Sequence, residues 1–167
     1  MADEITPIGI DGVGYEVLTK AVSELLNAYP GLSEGEVISF EGLDTTYGIA
    51  FSANNGALIM RETVDIIDHV TQECAYPFFV VYRSASTRPD AKVRIQTFLD
   101  SLGKWLCKEP AQVDGETVTL DAYPELANGR KITRVTRSNS YGIEPDAKGV
   151  QDWLLPVTVT YTNEFDL

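Results

Sequence analysis

Hydrophobic residues change period several times along the chain, and each change predicts an element. Leu18, Ala21, Val22 and Leu25 recur at helical spacing with Glu16, Lys20, Ser23, Glu24 and Asn27 mainly between them, which predicts an amphipathic helix over about 14–29. Tyr29-Pro30-Gly31 ends it, because proline has no N–H for the next hydrogen bond and glycine permits a reversal. Short strands are expected at about 37–40, 46–52 and 57–66, the last two joined through Asn54-Asn55-Gly56, whose tolerance of positive φ reads as a hairpin turn. Asp68-His69 then turns the chain into a long strand over about 71–83. In it Tyr76, Phe78, Val80 and Tyr82 alternate with Ala75, Pro77, Phe79 and Val81, so both faces are expected to be covered and the strand to be central. Pro77 lacks a ladder donor and predicts a bulge or a locally unpaired edge.

A second amphipathic helix is predicted over about 89–108, where Ile95, Phe98, Leu99, Leu102, Trp105 and Leu106 repeat at three and four residues. Pro89 and Asp90 suit its first turn, and Lys104 and Lys108 its last. Asp114-Gly115 marks a turn and the stretch 123–129 a loop. Strands follow at about 130–138 and 151–163, separated by a polar hairpin loop, Ser138 to Val150, that could serve as a contact arm. In the last strand Trp153, Leu155, Val157, Val159 and Tyr161 form one face, and the threonines of the other are expected to meet water or a neighbouring subunit. Strands joined by hairpins, with helices at the start and in the middle, predict an α+β fold: one domain over 1–167, a mainly antiparallel sheet with two helices packed on one face.

Composition bounds what such a domain can do. At 167 residues, 44% hydrophobic and 23% charged, the chain can bury a core without a second domain. Its 25 acidic against 13 basic side chains give a net charge of −12, which repels phosphate backbones; DNA could pass along such a surface without sticking to it. No apolar run is long enough to span a bilayer, and the acidic start Met1-Ala2-Asp3-Glu4 lacks the basic and apolar regions of a signal peptide, so no membrane partner and no such secretion are expected. Cys74 and Cys107, without a close Cys-x-x-Cys spacing, are expected to be reduced, small and buried, in a chain made in the cytoplasm.

No motif argues for catalysis or a cofactor. Gly9-Ile10-Asp11-Gly12-Val13-Gly14 clusters glycines before a helix, but no sustained buried strand precedes it and no Gly-Lys-Ser/Thr follows, so a flexible lead-in is expected rather than a phosphate loop. His69 is the one histidine; Glu62, Asp65, Asp68 and Glu73 near it could hold a divalent cation, but an exposed acidic turn is the expected reading. Ser84, Ser86 and Ser138 have loop context and no nucleophile elbow. Arg130, Lys131, Arg134 and Arg137 concentrate positive charge in a strand, either as sheet-surface charge or as partners for an acidic neighbouring subunit. Trp105 reads as core, and Trp153 as core or interface anchor.

Four segments in order carry a resemblance: Tyr76-Pro77-Phe78-Phe79-Val80-Val81-Tyr82-Arg83, then Leu99-Asp100-Ser101-Leu102-Gly103-Lys104-Trp105-Leu106, then Ile132-Thr133-Arg134-Val135, and Val157-Thr158-Val159-Thr160-Tyr161. Together they resemble the minor capsid or tail terminator proteins of siphophages and prophages of Gram-positive hosts. The resemblance implies a non-enzymatic virion subunit without cofactor or metal that forms a ring, usually a hexamer, at the head-proximal end of the tail tube. Its partners would be copies of itself, the major tail tube protein and the head-tail connector, with DNA passing through the lumen. The alternatives are a head-tail connector or tail-tube subunit of the same particle, and a small-ligand-binding or enzymatic α+β domain.

Overall fold

A computed structural model describes residues 6–167; the acidic start Met1-Ala2-Asp3-Glu4 and Ile5 lie outside the described residues. In chain order the elements are β1 (Gly9–Ile10), α1 (Gly12–Asn27), β2 (Ile38–Phe40), β3 (Gly48–Ala53), β4 (Leu58–Val64), β5 (His69–Ser84), α2 (Pro89–Leu106), β6 (Ala111–Val113), β7 (Glu116–Val118), β8 (Arg130–Arg137), β9 (Tyr141–Gly142) and β10 (Gln151–Asp166). The fold is α+β with a mostly antiparallel sheet, as the periodicity predicts.

The sheet is organised by β5 and β10, which pair antiparallel along their whole length, from Gln151 opposite Ser84 to Asp166 opposite His69. Along the far edge of β5, β4 pairs with the first half and β3 with the second; along the far edge of β10 lie β8 and β9. Consecutive strands are therefore often collinear rather than hairpin-paired, which corrects the reading of Asn54-Asn55-Gly56. These residues do turn the chain, with positive φ at Asn55 and Gly56, but they carry it along β5 instead of folding β4 back on β3. A further correction is that β2 lies parallel to β3. The β6–β7 hairpin around Asp114-Gly115, both at positive φ, forms a separate two-stranded sheet.

Two prolines sit where this arrangement spares a donor. In an antiparallel strand a residue's N and O face the same neighbour. The Asn54 N–H donates to the Pro77 carbonyl at 2.9 Å, so Pro77 faces the gap between the end of β3 and the start of β4, while its side toward β10 stays in register with Thr158. Pro156 does the same on β10: the Ser138 N–H donates to its carbonyl at 3.1 Å, just past the end of β8. The locally unpaired edge expected at Pro77 is found, and no bulge interrupts the central pair there.

Both helices cover one face. Leu18, Val22, Leu25 and Leu26 of α1 and Ile95, Leu99, Leu102 and Trp105 of α2 share a core with Tyr76, Phe78 and Val80 of β5 and Leu155, Val157, Val159 and Tyr161 of β10. Burying a side chain of this size contributes about 1.5–3 kcal/mol, so this shared core dominates the stability. The Thr19 hydroxyl meets the Tyr76 hydroxyl at 2.7 Å, and Trp105 packs on Tyr29 with ring centroids 5.3 Å apart. The sequence-based bounds of α1 run two residues late. Asp11 is its N-cap, accepting from the Gly14 N–H at 3.0 Å. Pro89 opens α2 and Asp90 lies in its first turn, whereas Lys108 stands beyond the end with positive φ. There the Glu109 and Lys108 N–H groups donate to the Lys104 and Trp105 carbonyls, a Schellman stop. No helix among the described residues is long and apolar enough to cross a membrane.

Candidate interaction surface

Several of the chemically suggestive segments resolve into specific contacts. The glycine stretch before α1 is anchored, which corrects the expectation of a flexible lead-in. The Asp11 carboxylate accepts from the Gly14 N–H, from Arg130 Nε at 2.8 Å and from the Tyr161 hydroxyl at 2.8 Å, and Asp11 and Arg130 are both buried. A carboxylate thus occupies the helix N-terminus where a phosphate would have to sit. Burial would raise the Asp11 carboxyl, but the hydrogen bonds from Arg130, Tyr161 and Gly14 and the Arg130 charge outweigh it and hold the group below its usual range. Gly14 is required beside it: a Cβ there would fall 2.0 Å from Asp11 Oδ2.

His69 stands at the start of β5 with its Nδ1 2.7 Å from Asp166 of β10, a pairing that raises its pKa. Asp65 instead accepts from the backbone N–H groups of Ile67 and His69, and Glu62 accepts from Gln72 at 2.7 Å. Among the described residues no three His, Cys, Asp or Glu side chains converge to hold a metal ion. Ser84 and Ser86 accept from the Ser86 and Arg88 N–H groups in the turn leading to α2. Burial pushes the Cys74 thiol up to about 11 and raises that of Cys107, so both thiols stay protonated and poorly nucleophilic at neutral pH.

The basic concentration on β8 divides by face. Arg130 and Arg137 point to the core side and pair with Asp11 and Glu109, whereas Lys131 and Arg134 lie on the opposite, exposed side. That opposite side of the sheet is the main departure from expectation. The sequence predicts β5 covered on both faces, but among the described residues no helix packs on the second one, and Ala75, Pro77, Phe79 and Val81 are only half-buried.

Cross-strand register defines this open face. Its centre is apolar, from Ile10, Leu58 and Ala75 in one row to Phe79 beside Pro156 and Val81 beside Leu154. Threonines 158, 160 and 162 line the β10 side. Arg83 and Asp152 close one end in a bidentate pair at 2.7 and 3.0 Å, with Arg83 also donating to the Asp44 carbonyl. The charges on the face are Arg61, Arg83, Lys131 and Arg134 against Glu73, Asp152, Glu164 and Asp166, a balance on a chain whose net charge is −12. The acidic excess lies elsewhere on the molecule. The half-apolar alternation of 75–81 and the threonines of 158–162 signal this face in the sequence, but whether anything covers it is a tertiary property.

Among the described residues a further depression lies between α1 and β2, lined by Tyr15, Thr19, Ser23 and Phe40. Trp105 is core; Trp153 is half-buried at the edge of the core, against Gly142. A comparison of the sequence with protein-family models matches none, and a comparison with curated proteins gives no significant match.

Proposed function

We propose that this chain is a structural subunit of a phage virion, the tail terminator that forms a ring at the head-proximal end of a long tail tube, stops tube growth and joins tail to head. The observation that carries the assembly reading is the open sheet face: a broad, half-apolar, nearly neutral surface on a strongly acidic chain. Like-charge repulsion disfavours contact between the acidic surfaces of two copies, so a neutral face is one through which a protein neighbour can approach. The position in a phage tail rests on the resemblance of the four segments quoted above, two of which, 76–83 and 157–161, build the central strand pair.

In this reading the protein works by geometry and carries out no covalent step. A head-to-tail contact whose rotation closes yields a ring, here a hexamer, with one surface matching the tube and another that does not propagate it. Carboxylates displaced from the sheet face line the channel, and DNA passes without specific binding because they repel its phosphates. The partners are further copies of the chain, the major tail tube protein and the connector, at the head-tail junction of particles assembled in the host cytoplasm. The test is to titrate the purified chain into polymerising tail tube protein and measure tube lengths by electron microscopy. Short tubes capped at one end are expected; unchanged tube lengths would contradict the reading, and open filaments of the chain itself would indicate a tube subunit instead.

A further inference from the structure

The turn between β4 and β5 presents Ile66 fully exposed and Ile67 77% exposed, with Leu167, 80% exposed, beside them. Two adjacent isoleucines held in water are unfavourable for an isolated protomer, and the turn that holds them is firmly built. The Asp65 carboxylate accepts from the Ile67 and His69 N–H groups, both at 2.9 Å; the Asp65 N–H donates to the His69 carbonyl at 3.0 Å; and the Leu167 N–H donates to the Asp68 carbonyl at 3.0 Å. Asp68 adopts positive φ to close the turn. The result is a preorganised apolar knob at one end of the sheet with carboxylates of Asp65, Asp68 and Asp166 around its base.

Resting on the assembly reading above, we infer that the Ile66-Ile67 knob of one copy seats on the open sheet face of the next copy. Charge selects the occupant. Knob against knob would bring two carboxylate collars together, and the depressions on the helix side set Glu16 and Glu24 against a single cation, Lys20. The open face has what the knob lacks: an apolar centre at Phe79 and Leu154 for the isoleucines, and the exposed cations Lys131 and Arg134 for the collar. Knob and face are different patches, one at the sheet's end and one across its breadth, so the contact is heterologous and propagates around a ring.

Mixing two variants tests this. Ile66→Asp/Ile67→Asp removes the knob and leaves the face; Lys131→Glu/Arg134→Glu reverses the charge of the face and leaves the knob. All four positions are exposed, so each variant is expected to keep the wild-type circular dichroism and melting temperature. By sedimentation velocity, wild type is expected as a species larger than a dimer and each variant alone as single protomers. A one-to-one mixture is expected to recover a dimer and nothing larger, because one intact knob and one intact face remain. A ring formed by either variant alone, or a mixture that stays as protomers while wild type forms rings, overturns the knob-to-face contact and leaves the assembly reading standing. Wild type that stays a protomer at every concentration overturns the assembly reading itself and this contact with it.

Discussion

Asp11 joins three parts of the chain that are distant in sequence, the start of α1, the first residue of β8 and the inner face of β10, through hydrogen bonds from Gly14, Arg130 and Tyr161. Asp11→Ala leaves the Arg130 guanidinium buried and unpaired, and is expected to destabilise by about 3–5 kcal/mol in urea denaturation. Tyr161→Phe removes one hydrogen bond to a charged group and is expected to cost about 1.5–3 kcal/mol. Because the Asp11 carboxyl is held below its ordinary value of 3.8, its contribution is full above that pH and is lost as pH falls through the folded value. Acid should therefore weaken the wild type more than Asp11→Asn. His69 has the opposite sign: its hydrogen bond to Asp166 raises it above the ordinary 6.5, so the pairing contributes fully below that pH and is lost as pH rises through the folded value. An NMR titration of the imidazole should show the elevation in wild type and a smaller one in Asp166→Asn, where the charges of Glu164 and Asp65 remain. None of these partnerships was legible in the sequence, since Asp11 and Arg130 reveal each other only once β8 lies beside α1.

At the scale of elements the periodicity is read correctly where a side chain's environment is decided locally. The run Ile95 to Leu106 places α2 because three- and four-residue spacing has one solution, and Trp153 to Tyr161 places β10 because strict alternation has one as well. What escapes is pairing. The turn Asn54-Asn55-Gly56 has the chemistry of a hairpin, and only the length of β5 shows that β3 and β4 share its edge end to end. Short elements escape too: β1 and β9 each span two residues and exist because β4 and β10 offer them an edge. Gly129 illustrates a backbone demand invisible to pattern. It lies at φ +74, and a Cβ there would fall 2.3 Å from the Glu164 carbonyl oxygen, whose own N–H donates to Gly129. Gly129→Ala is expected to destabilise by roughly 2 kcal/mol or more in thermal or urea unfolding, since the left-handed conformation and the clash with backbone add.

For the whole molecule the governing asymmetry is between two faces of one sheet. One is sealed by both helices; the other is half-apolar, close to neutral and, among the described residues, uncovered on a chain of net charge −12. The acidic composition could be read from the sequence, but its absence from one face could not, because that depends on which strand residues point together. The isoleucines of the β4–β5 turn, exposed among the described residues, are what the proposed contact would seat on this face of a second copy. The central claim is that the protein acts by association of its copies, and sedimentation velocity of the purified chain over a wide range of concentration tests it most directly. A single closed species several times the 18.4 kDa of the protomer, whose size does not grow further with concentration, is predicted. An 18.4 kDa protomer throughout would contradict the account.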